Sequence, residues 1–394
     1  MVFLEYSCVF LKFDEYITCQ IFWNRGGSFS EQIINWSYVF LTCNYYMSTN
    51  THVDNDEYQD RSSSPSANMP VLYDVIIIGS GPAGYTAGVY TSRARLKTLI
   101  ISGTLPGGQL MTTSEVENYP GFPNGIFGPE LMMNMRQQAE RFGSTVIDDE
   151  VIRVNFKQRP FMITTHSQIY EAQSVLICTG ASPRKLGIPA EGQFAGRGVS
   201  YCATCDGPFF RGEDIIVVGG GDTAIEEATF LTKFGKSVKI VHRRDSLRAS
   251  KILQDKAFEN PKIKFLWNSV VADIKGGKKI ADVVVRDINN EKELKIPAGG
   301  LFVAIGHEPN TAIFKGQLET DDKGYIVLKN QTRTSVDGVF AAGDVHDYRY
   351  RQAVTAAGFG CMAALDVEKW LTESKHRKQE EIQERAEYAQ GRSK

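Results

Sequence analysis

The sequence lacks several features that would place the protein in a specialised class. No apolar run approaches the roughly 18 residues of a membrane-spanning helix. The 44 basic and 46 acidic residues nearly balance, so the net charge of -2 predicts neither nucleic-acid binding nor membrane attraction. Seven cysteines in 394 residues make no disulfide framework, and the isolated Cys178 and Cys361 are predicted to be buried and inert. A globular protein with room for two ordinary domains remains.

The two ends of the chain differ from its middle. The apolar N-terminus lacks a basic start and a small-residue cleavage site, and Glu5 interrupts it, so we do not predict a secretory signal here. We therefore predict a cytoplasmic, reducing location. Residues 1–70 are expected to form a disordered or atypical extension, because 47–70 are polar and rich in Ser, Asn and Asp. Residues 373–394 form a charged tail, predicted to be a solvated helix or disordered.

Regular alternation of strands and helices begins at Tyr73. The stretch YDVIIIG predicts a buried strand, and a glycine turn, a helix to about Arg95 and the strand KTLIIS follow it. The same unit recurs from Asp214 in DIIVVGGGDTAIEEATFLTKFGKSVKIVHR. Two such βαβ units predict an α/β protein with two Rossmann-like, doubly wound nucleotide-binding domains.

The first unit carries a dinucleotide-binding motif. Gly79, Gly81 and Gly84 have GxGxxG spacing and lie directly between the strand and the helix. Glycines at these places permit a tight turn and close approach of a pyrophosphate to the N-terminus of the helix. The second strand of this unit ends in Ile-Ser-Gly at 101–103 without the expected acid, so no carboxylate contact to a ribose is assigned.

The second unit differs at the position that distinguishes NADP from NAD. Its glycine motif comprises Gly219, Gly221 and Ala224, and its second strand ends in VHRRDSLR. An NAD site would have an acid there, whereas this turn is basic and contains His242, Arg243, Arg244 and Arg248. Guanidinium groups match a phosphate monoester, so we predict an NADPH site whose three arginines hold the 2′-phosphate. A solvated basic turn is the alternative.

FAD is the natural ligand for the first unit. The later strand GVFAAG ends in Asp344, which suits hydroxyl groups of a flavin, and a helix begins near Gln352. The NADPH unit lies between these two flavin-related parts of the chain. We therefore predict a discontinuous FAD domain, residues 71–185 and 311–372, with an NADPH domain of residues 186–310 inserted into it.

The segment SYCATCDGPFF contains a CxxC pair, Cys202 and Cys205. No second CxxC is available to complete four zinc ligands, so no metal site is predicted. A purely structural disulfide would close a very short loop and add little stability. The spacing therefore favours a redox-active pair. Asp206 is placed to transfer a proton to or from the thiolate or the flavin, although a turn residue before Gly207 is the alternative.

Nicotinamide and the cysteine pair both belong to the predicted NADPH domain, and both must reach the flavin. We expect a crowded site to admit only one of them at a time. We therefore predict that this domain rotates between two states, one presenting nicotinamide to the flavin and the other presenting the disulfide. In the first state the reduced cysteines become accessible to a protein substrate.

From about Tyr73 to Leu371 the chain resembles the low-molecular-weight thioredoxin reductases. The matching stretches, in the family's order, are GSGPAG, GGQLMTTSEVENYPGFP, CTGASPR, CATCDG, GGGDTAIEEA, HRRDSLRASKIL, LFVAIGHEPNT and GVFAAGDV…YRQAVTAAGFGCMAALD. The resemblance implies a homodimeric FAD-containing oxidoreductase that uses NADPH to reduce the disulfide of thioredoxin.

The resemblance also implies individual roles. Cys205 corresponds to the thiol that meets the flavin, Cys202 to the one that attacks thioredoxin, and Asp206 to the acid–base residue. The family's flavin contacts fall on Ser80, Gly81, Pro82, Ala83, Gln109, Leu110, Asn118, Val151, Asp344, Val345, Arg351, Gln352 and Ala353. Its NADPH contacts fall on Gly221, Asp222, Thr223, Glu226 and the arginines of HRRDSLR, which are Arg243, Arg244 and Arg248 and follow His242.

Three other functions are compatible with parts of this pattern. A flavin reductase of another small dithiol protein often carries an extra N-terminal redox domain, and the region before Tyr73 has no CxxC. A dithiol oxidase would be expected to lack the basic turn that HRRDSLR supplies. A non-enzymatic, flavin-bound redox switch would use the CxxC pair without turnover.

Overall fold

The computed structural model describes residues 8–13, 16–21, 71–113 and 115–391. The chain forms two compact units, Met1–Ser66 and Ala67–Lys394. In the first unit, strands β1 (Cys8–Phe13) and β2 (Tyr16–Ile21) pair in an antiparallel hairpin. The rest of the predicted extension, including the segment 47–70 expected to be disordered, lies outside the described residues.

The second unit begins with a seven-stranded mixed sheet and its helices. In sheet order the strands run β7-β4-β3-β10-β9-β8, and β21 pairs with the C-terminal half of β10. Between β4 and the second helix lies a small antiparallel pair, β5 and β6. The elements are β3 (Val71–Ile78), α1 (Pro82–Arg93), β4 (Thr98–Ile101), β5 (Glu115–Val116), β6 (Ile126–Phe127), α2 (Gly128–Arg141), β7 (Thr145–Ile147), β8 (Val151–Asn155), β9 (Phe161–Thr165) and β10 (Ile169–Ile177).

A five-stranded parallel sheet forms later in the chain, in the order β12-β19-β13-β14-β15, and a three-stranded antiparallel sheet β16-β17-β18 packs beside it. Strands β11 and β20 pair in a two-stranded ribbon. The elements are β11 (Ala181–Pro183), α3 (Pro189–Phe194), β12 (Val199–Ser200), α4 (Ala203–Asp206), β13 (Asp214–Val218), α5 (Asp222–Leu231), β14 (Ser237–Val241), α6 (Lys251–Phe258), β15 (Ile263–Leu266), β16 (Ser269–Gly276), β17 (Ile280–Asp287), β18 (Glu293–Pro297), β19 (Gly300–Val303), β20 (His307–Pro309), β21 (Val339–Ala341) and α7 (Ala353–Gly391).

Both parallel regions are buried on two faces, which explains their continuous apolar strands. Side chains alternate across a strand, so Ile76 and Ile78 of β3 enter one core while Val75 and Ile77 enter the core beneath α1 and α7. Strand β13 repeats this alternation between the cores on the two faces of the five-stranded sheet. The α/β fold with two Rossmann-like sheets predicted from the sequence is confirmed.

Helix α7 is longer than the sequence pattern indicated. It packs on α1 as far as Trp370 and Leu371. Beyond them the helix continues to Gly391, and its side chains up to Arg385 are mostly exposed. The prediction that Cys178 and Cys361 are both buried is half right. Cys178 is buried, but Cys361 lies on the outer side of α7 and is partly exposed. No helix within the described ranges is long and apolar enough to cross a bilayer.

Two glycines of α7 allow a direct test of its packing on α1. A Cβ at Gly360 would lie 2.2 Å from the backbone oxygen of Ala83. We predict that Gly360→Ala lowers the free energy of unfolding by about 2 kcal/mol, because overpacking a tight contact costs about 1–3 kcal/mol. The shift would be measured as a lower midpoint of urea denaturation.

The matched control is Gly358→Ala on the same helix, where a Cβ would meet no described atom within 4 Å. This change should be neutral or stabilise by up to about 1 kcal/mol, since alanine favours helix more than glycine does. Equal midpoints for the two variants would contradict the described contact between α7 and α1.

Candidate active site

The turn between β3 and α1 leaves open space in front of the helix. Gly79 has φ +108°, and a Cβ there would lie 2.3 Å from the carbonyl oxygen of Cys178. A Cβ at Gly84 would lie 2.0 Å from the oxygen of Gly79, so only glycine fits at either position. At Gly81, by contrast, a Cβ would meet no described atom within 4 Å. The turn therefore packs tightly against the sheet and is open towards its ligand-facing side.

Two other loops, one after β4 and one after β21, converge on this turn. The buried hydroxyl of Ser80 donates to the Ser102 carbonyl at 2.9 Å and accepts from the Gly107 amide at 2.9 Å. Pro82 and Ala83 begin α1, and Gly343 approaches Ala83 closely enough that a Cβ would lie 3.0 Å from its methyl group. Predicted flavin contacts far apart in sequence thus lie around one turn.

Asp344 follows β21 at this convergence. Burial raises the pKa of its carboxyl to about 7, the nearby carboxylate of Asp347 acts in the same direction, and Arg351 opposes both. The adjoining Val345 is fully buried in the core. A half-buried carboxyl with a pKa of about 7 suits a ligand whose hydroxyl groups hydrogen-bond with it.

Not every predicted flavin contact faces this space with its side chain. Val151 is buried in the core of β8, and Leu110 packs among apolar residues between α1 and α2. Gln109 donates its side-chain amide to the carbonyl of Ala181 at the start of the ribbon. At Val151 and Leu110, a ligand could contact only backbone atoms or one side of the apolar side chain.

Cys202 and Cys205 form a disulfide with their Cα atoms 5.3 Å apart. Cys202 caps the short helix α4, where its sulfur accepts from the Cys205 amide at 3.2 Å. The hydroxyl of Ser200, at the end of β12, accepts from the Cys202 amide at 3.1 Å. These bonds hold both sulfurs at the edge of the five-stranded sheet, and both residues are partly exposed.

Asp206 directly follows the pair, and its amide donates to the Cys202 carbonyl at 3.1 Å. Burial raises the pKa of its carboxyl above the ordinary range, while a hydrogen bond from Ser200 opposes the shift. A carboxyl that keeps its proton to higher pH than usual can act as a general acid beside the sulfurs.

The disulfide touches the other sheet's helices through Gln352. The Gln352 amide nitrogen lies 3.8 Å from Cys202 Sγ and 3.2 Å from Thr204 Oγ1, and its carbonyl oxygen lies 3.9 Å from Cys205 Sγ. The same oxygen accepts from the Asn118 side chain at 3.3 Å. Gln352 immediately precedes Ala353, the first residue of α7, and follows Arg351, which has φ +46°. The redox pair is thus held against the loops that surround the first glycine turn.

The second glycine turn has the same form. Gly219 has φ +151°, and a Cβ there would clash with the Ala304 carbonyl at 2.5 Å, whereas a Cβ at Gly221 would meet nothing described within 4 Å. Asp222 and Thr223 open α5, and Glu226 is exposed one turn further along. The carboxylate of Asp222 accepts from the Ser250 amide at 2.7 Å.

The four basic residues predicted at the end of β14 do not share one environment. The side chains of Arg243, Arg244 and Arg248 are exposed, as required for binding an anion. His242 is only 5% exposed and its Nε2 lies 3.1 Å from the Ser246 carbonyl oxygen, so it is directed into the protein. The sequence pattern does not distinguish the buried histidine from the exposed arginines.

Three buried polar atoms in this part of the protein were not predicted from the sequence. Glu227 Oε2, His307 Nδ1 and His346 Nε2 have no hydrogen-bond partner among the described atoms. Burial raises the pKa of Glu227 to about 7, partly opposed by Arg351, and burial lowers the pKa of both histidines to about 4. No motif marks these positions, because their burial results from the approach of distant segments.

Comparisons with known proteins agree with this geometry. Residues 73–360 match the family described as pyridine nucleotide-disulphide oxidoreductase. A thioredoxin reductase of Streptomyces clavuligerus is 57% identical over 306 residues, which cover 77% of this chain and 95% of the relative. The crystal structure of thioredoxin reductase from Streptococcus pyogenes MGAS5005 superposes with TM-score 0.74 at 45% identity, covering 77% of this chain and 99% of that one. A Lactococcus lactis thioredoxin reductase in the FR conformation is also 45% identical, covers 76% of this chain and 99% of that one, and superposes with TM-score 0.54.

Two dinucleotide-type turns and a disulfide held between their sheets define a nucleotide-dependent disulfide oxidoreductase. The chain belongs to the pyridine nucleotide-disulphide oxidoreductase family and, within it, to the thioredoxin reductases. It is accordingly an NADPH-dependent enzyme with FAD as its cofactor, as the sequence predicted. The open glycine turns, Asp344 and the exposed arginines fit these two ligands.

Because the carboxyl of Glu227 is buried without a partner among the described atoms, we predict that replacing Glu227 stabilises the protein in a pH-dependent way. Its folded pKa of about 7 lies above the ordinary value of 4.5, so the stabilisation from its bound proton is complete below pH 4.5. That stabilisation is lost as pH rises to about 7, and at higher pH the native state contains a buried charge. Glu227→Gln should therefore unfold at least about 2 °C higher than the wild type at pH 8 and differ little at pH 4.5.

Thermal unfolding of the holoenzyme at pH 4.5, 6 and 8 measures this difference. Glu226→Gln is the control, because Glu226 is the exposed neighbour on the same helix and its loss should have no comparable effect. A Glu227→Gln gain that is the same at every pH would show that the carboxyl does not titrate in this range.

Proposed function

We propose that the protein is a thioredoxin-disulfide reductase, which transfers electrons from NADPH through FAD and the Cys202–Cys205 disulfide to oxidised thioredoxin. The observation that carries this proposal is the contact of the disulfide with Gln352 at the edge of the flavin-type loops. The names of the bacterial relatives support thioredoxin as the substrate.

We assign the flavin to the first glycine turn, with Ser80 to Ala83 near its pyrophosphate and Asp344 near its hydroxyl groups. Asn118 and the segment Arg351–Ala353 would contact the ring side, because Gln352 already lies beside the disulfide. NADPH is assigned to Gly221–Thr223, with Glu226 nearby and with the exposed arginines at its 2′-phosphate. When bound, FAD supplies a two-electron carrier between nicotinamide and the disulfide.

The protein's own groups perform the sulfur and proton chemistry. Two electrons open the Cys202–Cys205 bond, and Asp206 supplies one proton, so that one thiol and one thiolate result. The Cys202 thiolate attacks a sulfur of the thioredoxin disulfide, forms a mixed disulfide and releases one thioredoxin thiolate. Cys205 returns its proton to the Asp206 carboxylate and attacks the sulfur of Cys202, which re-forms the original bond and releases the second thioredoxin thiolate. The exposed ring of Phe209, 43% accessible, offers an apolar contact for the incoming protein beside the pair.

We also propose the predicted domain arrangement, with a flavin domain at 71–185 and 311–372, and an NADPH domain at 186–310. The ribbon of β11 and β20 joins the two sheets, with Gly180 at φ +70° and Gly306 at φ +104° at its opposite ends. Because both links pass through this narrow ribbon, the NADPH domain can rotate as a body.

The two ends of the ribbon are held unequally. Asn310 makes three hydrogen bonds at the flavin-side end. Its side-chain amide donates to the Thr179 carbonyl at 2.8 Å, and its backbone amide donates to the Gly180 carbonyl at 3.0 Å. Its side-chain oxygen accepts from the Ser182 hydroxyl at 3.0 Å. The other end has the Arg184 amide on Gly306 and an exposed ion pair between Arg184 and Glu308. The weaker end favours rotation near Gly306.

Two solved relatives support a second arrangement of the domains. The Streptococcus pyogenes and Lactococcus lactis enzymes are equally similar in sequence to this chain, at 45% identity. Their TM-scores of 0.74 and 0.54 nevertheless differ, and the second belongs to a structure in the FR conformation. A changed angle between otherwise similar domains accounts for such a difference.

The outer face of α7 supports the predicted homodimer. Val354 and Leu365 are 43% and 55% exposed on this face. Tyr90 of α1, 39% exposed, adjoins this stripe beside Cys361. An apolar stripe in the well-packed part of a helix suits contact with a second copy. We further propose a cytoplasmic location, because a reducing compartment would keep the disulfide reducible by electrons from NADPH.

Serine substitutions test the two sulfur roles. Cys202→Ser and Cys205→Ser should each abolish thioredoxin reduction, while NADPH still bleaches the flavin absorbance in a single turnover. Cys205→Ser alone should accumulate a mixed disulfide with thioredoxin, because its Cys202 can attack but no resolving thiol remains. Stopped-flow absorbance and non-reducing mass analysis measure these outcomes.

Cys361→Ser is the matched control, since this free thiol lies outside the site, and it should keep full turnover. Mixed disulfide formed by Cys202→Ser instead of Cys205→Ser would reverse the assigned roles. Normal electron transfer to a different dithiol protein, with none to thioredoxin, would replace the substrate proposal.

The arginines predict the choice of nucleotide. Arg243→Ala combined with Arg244→Ala should raise KM for NADPH about a hundredfold, because two charge-assisted contacts are worth about 1.5 kcal/mol or more each. KM for NADH, which lacks the 2′-phosphate, should change less than threefold. Steady-state kinetics with both nucleotides provide the measurement, and equal losses would place the phosphate elsewhere.

A further inference from the structure

His242 contacts the glycine turn as well as the arginine loop. Its ring lies directly under Gly220, where a Cβ would be 2.3 Å from the ring carbon Cε1. On the other side its Nε2 lies 3.1 Å from the carbonyl oxygen of Ser246, in the middle of the loop that contains the arginines. Because a carbonyl only accepts, Nε2 carries the proton and donates it. One buried side chain therefore bridges the two parts of the nucleotide site.

Two further hydrogen bonds, both from backbone amides, reinforce the same link. The Arg248 amide donates to the Gly220 carbonyl at 2.8 Å, and the Ser250 amide donates to the Asp222 carboxylate at 2.7 Å. His242 itself is anchored through its own amide to Leu266 and through its carbonyl to Ser269. The C-terminal end of the arginine loop is thus attached to the glycine turn. At the centre of the loop, the hydrogen bond from His242 to Ser246 is the side-chain support.

We propose that His242 is a positioning residue for NADPH selectivity, which sets the arginines at a fixed distance from the glycine turn without touching the phosphate. The inference rests on the proposed NADPH site. A 2′-phosphate and a pyrophosphate belong to one ligand, so their binding groups must keep a fixed separation. If the loop were free to move, part of the free energy of phosphate binding would be spent on the entropy lost when the loop becomes ordered.

The electrostatics of His242 agree with this role. Burial lowers its pKa, and the positive charges of Arg248, Arg244 and Arg243 act in the same direction, against the Ser246 bond. A neutral imidazole adds no charge to the phosphate site but keeps its single N–H donor on Ser246.

Two substitutions separate the donor from the ring. His242→Phe retains a flat ring beneath Gly220 but leaves the Ser246 carbonyl unpaired, whereas His242→Gln retains an N–H donor of similar reach. We expect the dissociation constant of NADP⁺ to rise about tenfold in His242→Phe and less than about threefold in His242→Gln. That of NAD⁺ should change less than twofold in both. Isothermal titration of the holoenzyme measures binding without thioredoxin, so the result does not depend on the substrate assignment.

The arginine double variant distinguishes positioning from direct contact. If His242 acts through the arginines, adding His242→Phe to Arg243→Ala and Arg244→Ala should weaken NADP⁺ binding less than twofold further, because the coupled residues are already absent. A further tenfold loss in that background would indicate a direct phosphate contact and overturn the inference.

Other results also decide the question. Equal weakening of NADP⁺ and NAD⁺ by His242→Phe would show a purely structural role, and unchanged binding of both would show no role. A loss in His242→Gln as large as in His242→Phe would refute the donor function. If the arginine double variant alone kept its NADP⁺ preference, the proposed NADPH site itself would be wrong, whatever His242 did.

Discussion

The contact between the disulfide and Gln352 brings the redox pair to the loops around the first glycine turn. A disulfide can accept electrons only from a carrier that it touches, yet its reduced thiols must later reach a bulky protein. Cys202 and Cys205 therefore need a supported contact that can also be broken. Sulfur-to-amide distances of 3.8 and 3.9 Å provide contact without a strong bond. In the described part of the chain, the paired strands β11 and β20 lie on the two segments that connect the sheets.

Close backbone approach imposes the second constraint. At Gly79 and Gly84 a single added carbon would overlap main-chain oxygens, so the helix packs against its strand at a distance that other residues do not allow. At Gly81, by contrast, no described atom would lie within 4 Å of an added Cβ, so a dinucleotide phosphate can approach the backbone there. The turn at Gly219 and Gly221 repeats this solution, and the buried His242 extends it to the arginine loop.

Local patterns predicted a large part of this arrangement. The glycine spacings, the apolar strands and CxxC each depend on neighbouring residues, so the two Rossmann-like sheets and the redox pair were readable from sequence. The contact of Gln352 with the disulfide depends on residues about 150 positions apart, and no local pattern marks it. Cys361 was assigned to the interior because its segment is apolar, but it lies on the outer side of α7, where apolar residues remain exposed. The unpaired Glu227 is indistinguishable in sequence from its exposed neighbour Glu226.

The amino-acid sequence by itself determined which groups are available for chemistry: two glycine turns of the dinucleotide type, a basic turn and a CxxC pair. These properties follow from residue type and short spacing, which chain connectivity preserves in any fold. Tertiary structure alone decided which groups meet. It placed the disulfide against Gln352, raised the pKa of Asp206 and Asp344 by burial, and turned His242 inward while its arginine neighbours face solvent. Burial and long-range contact are properties of the packed molecule, so no stretch of sequence specifies them on its own.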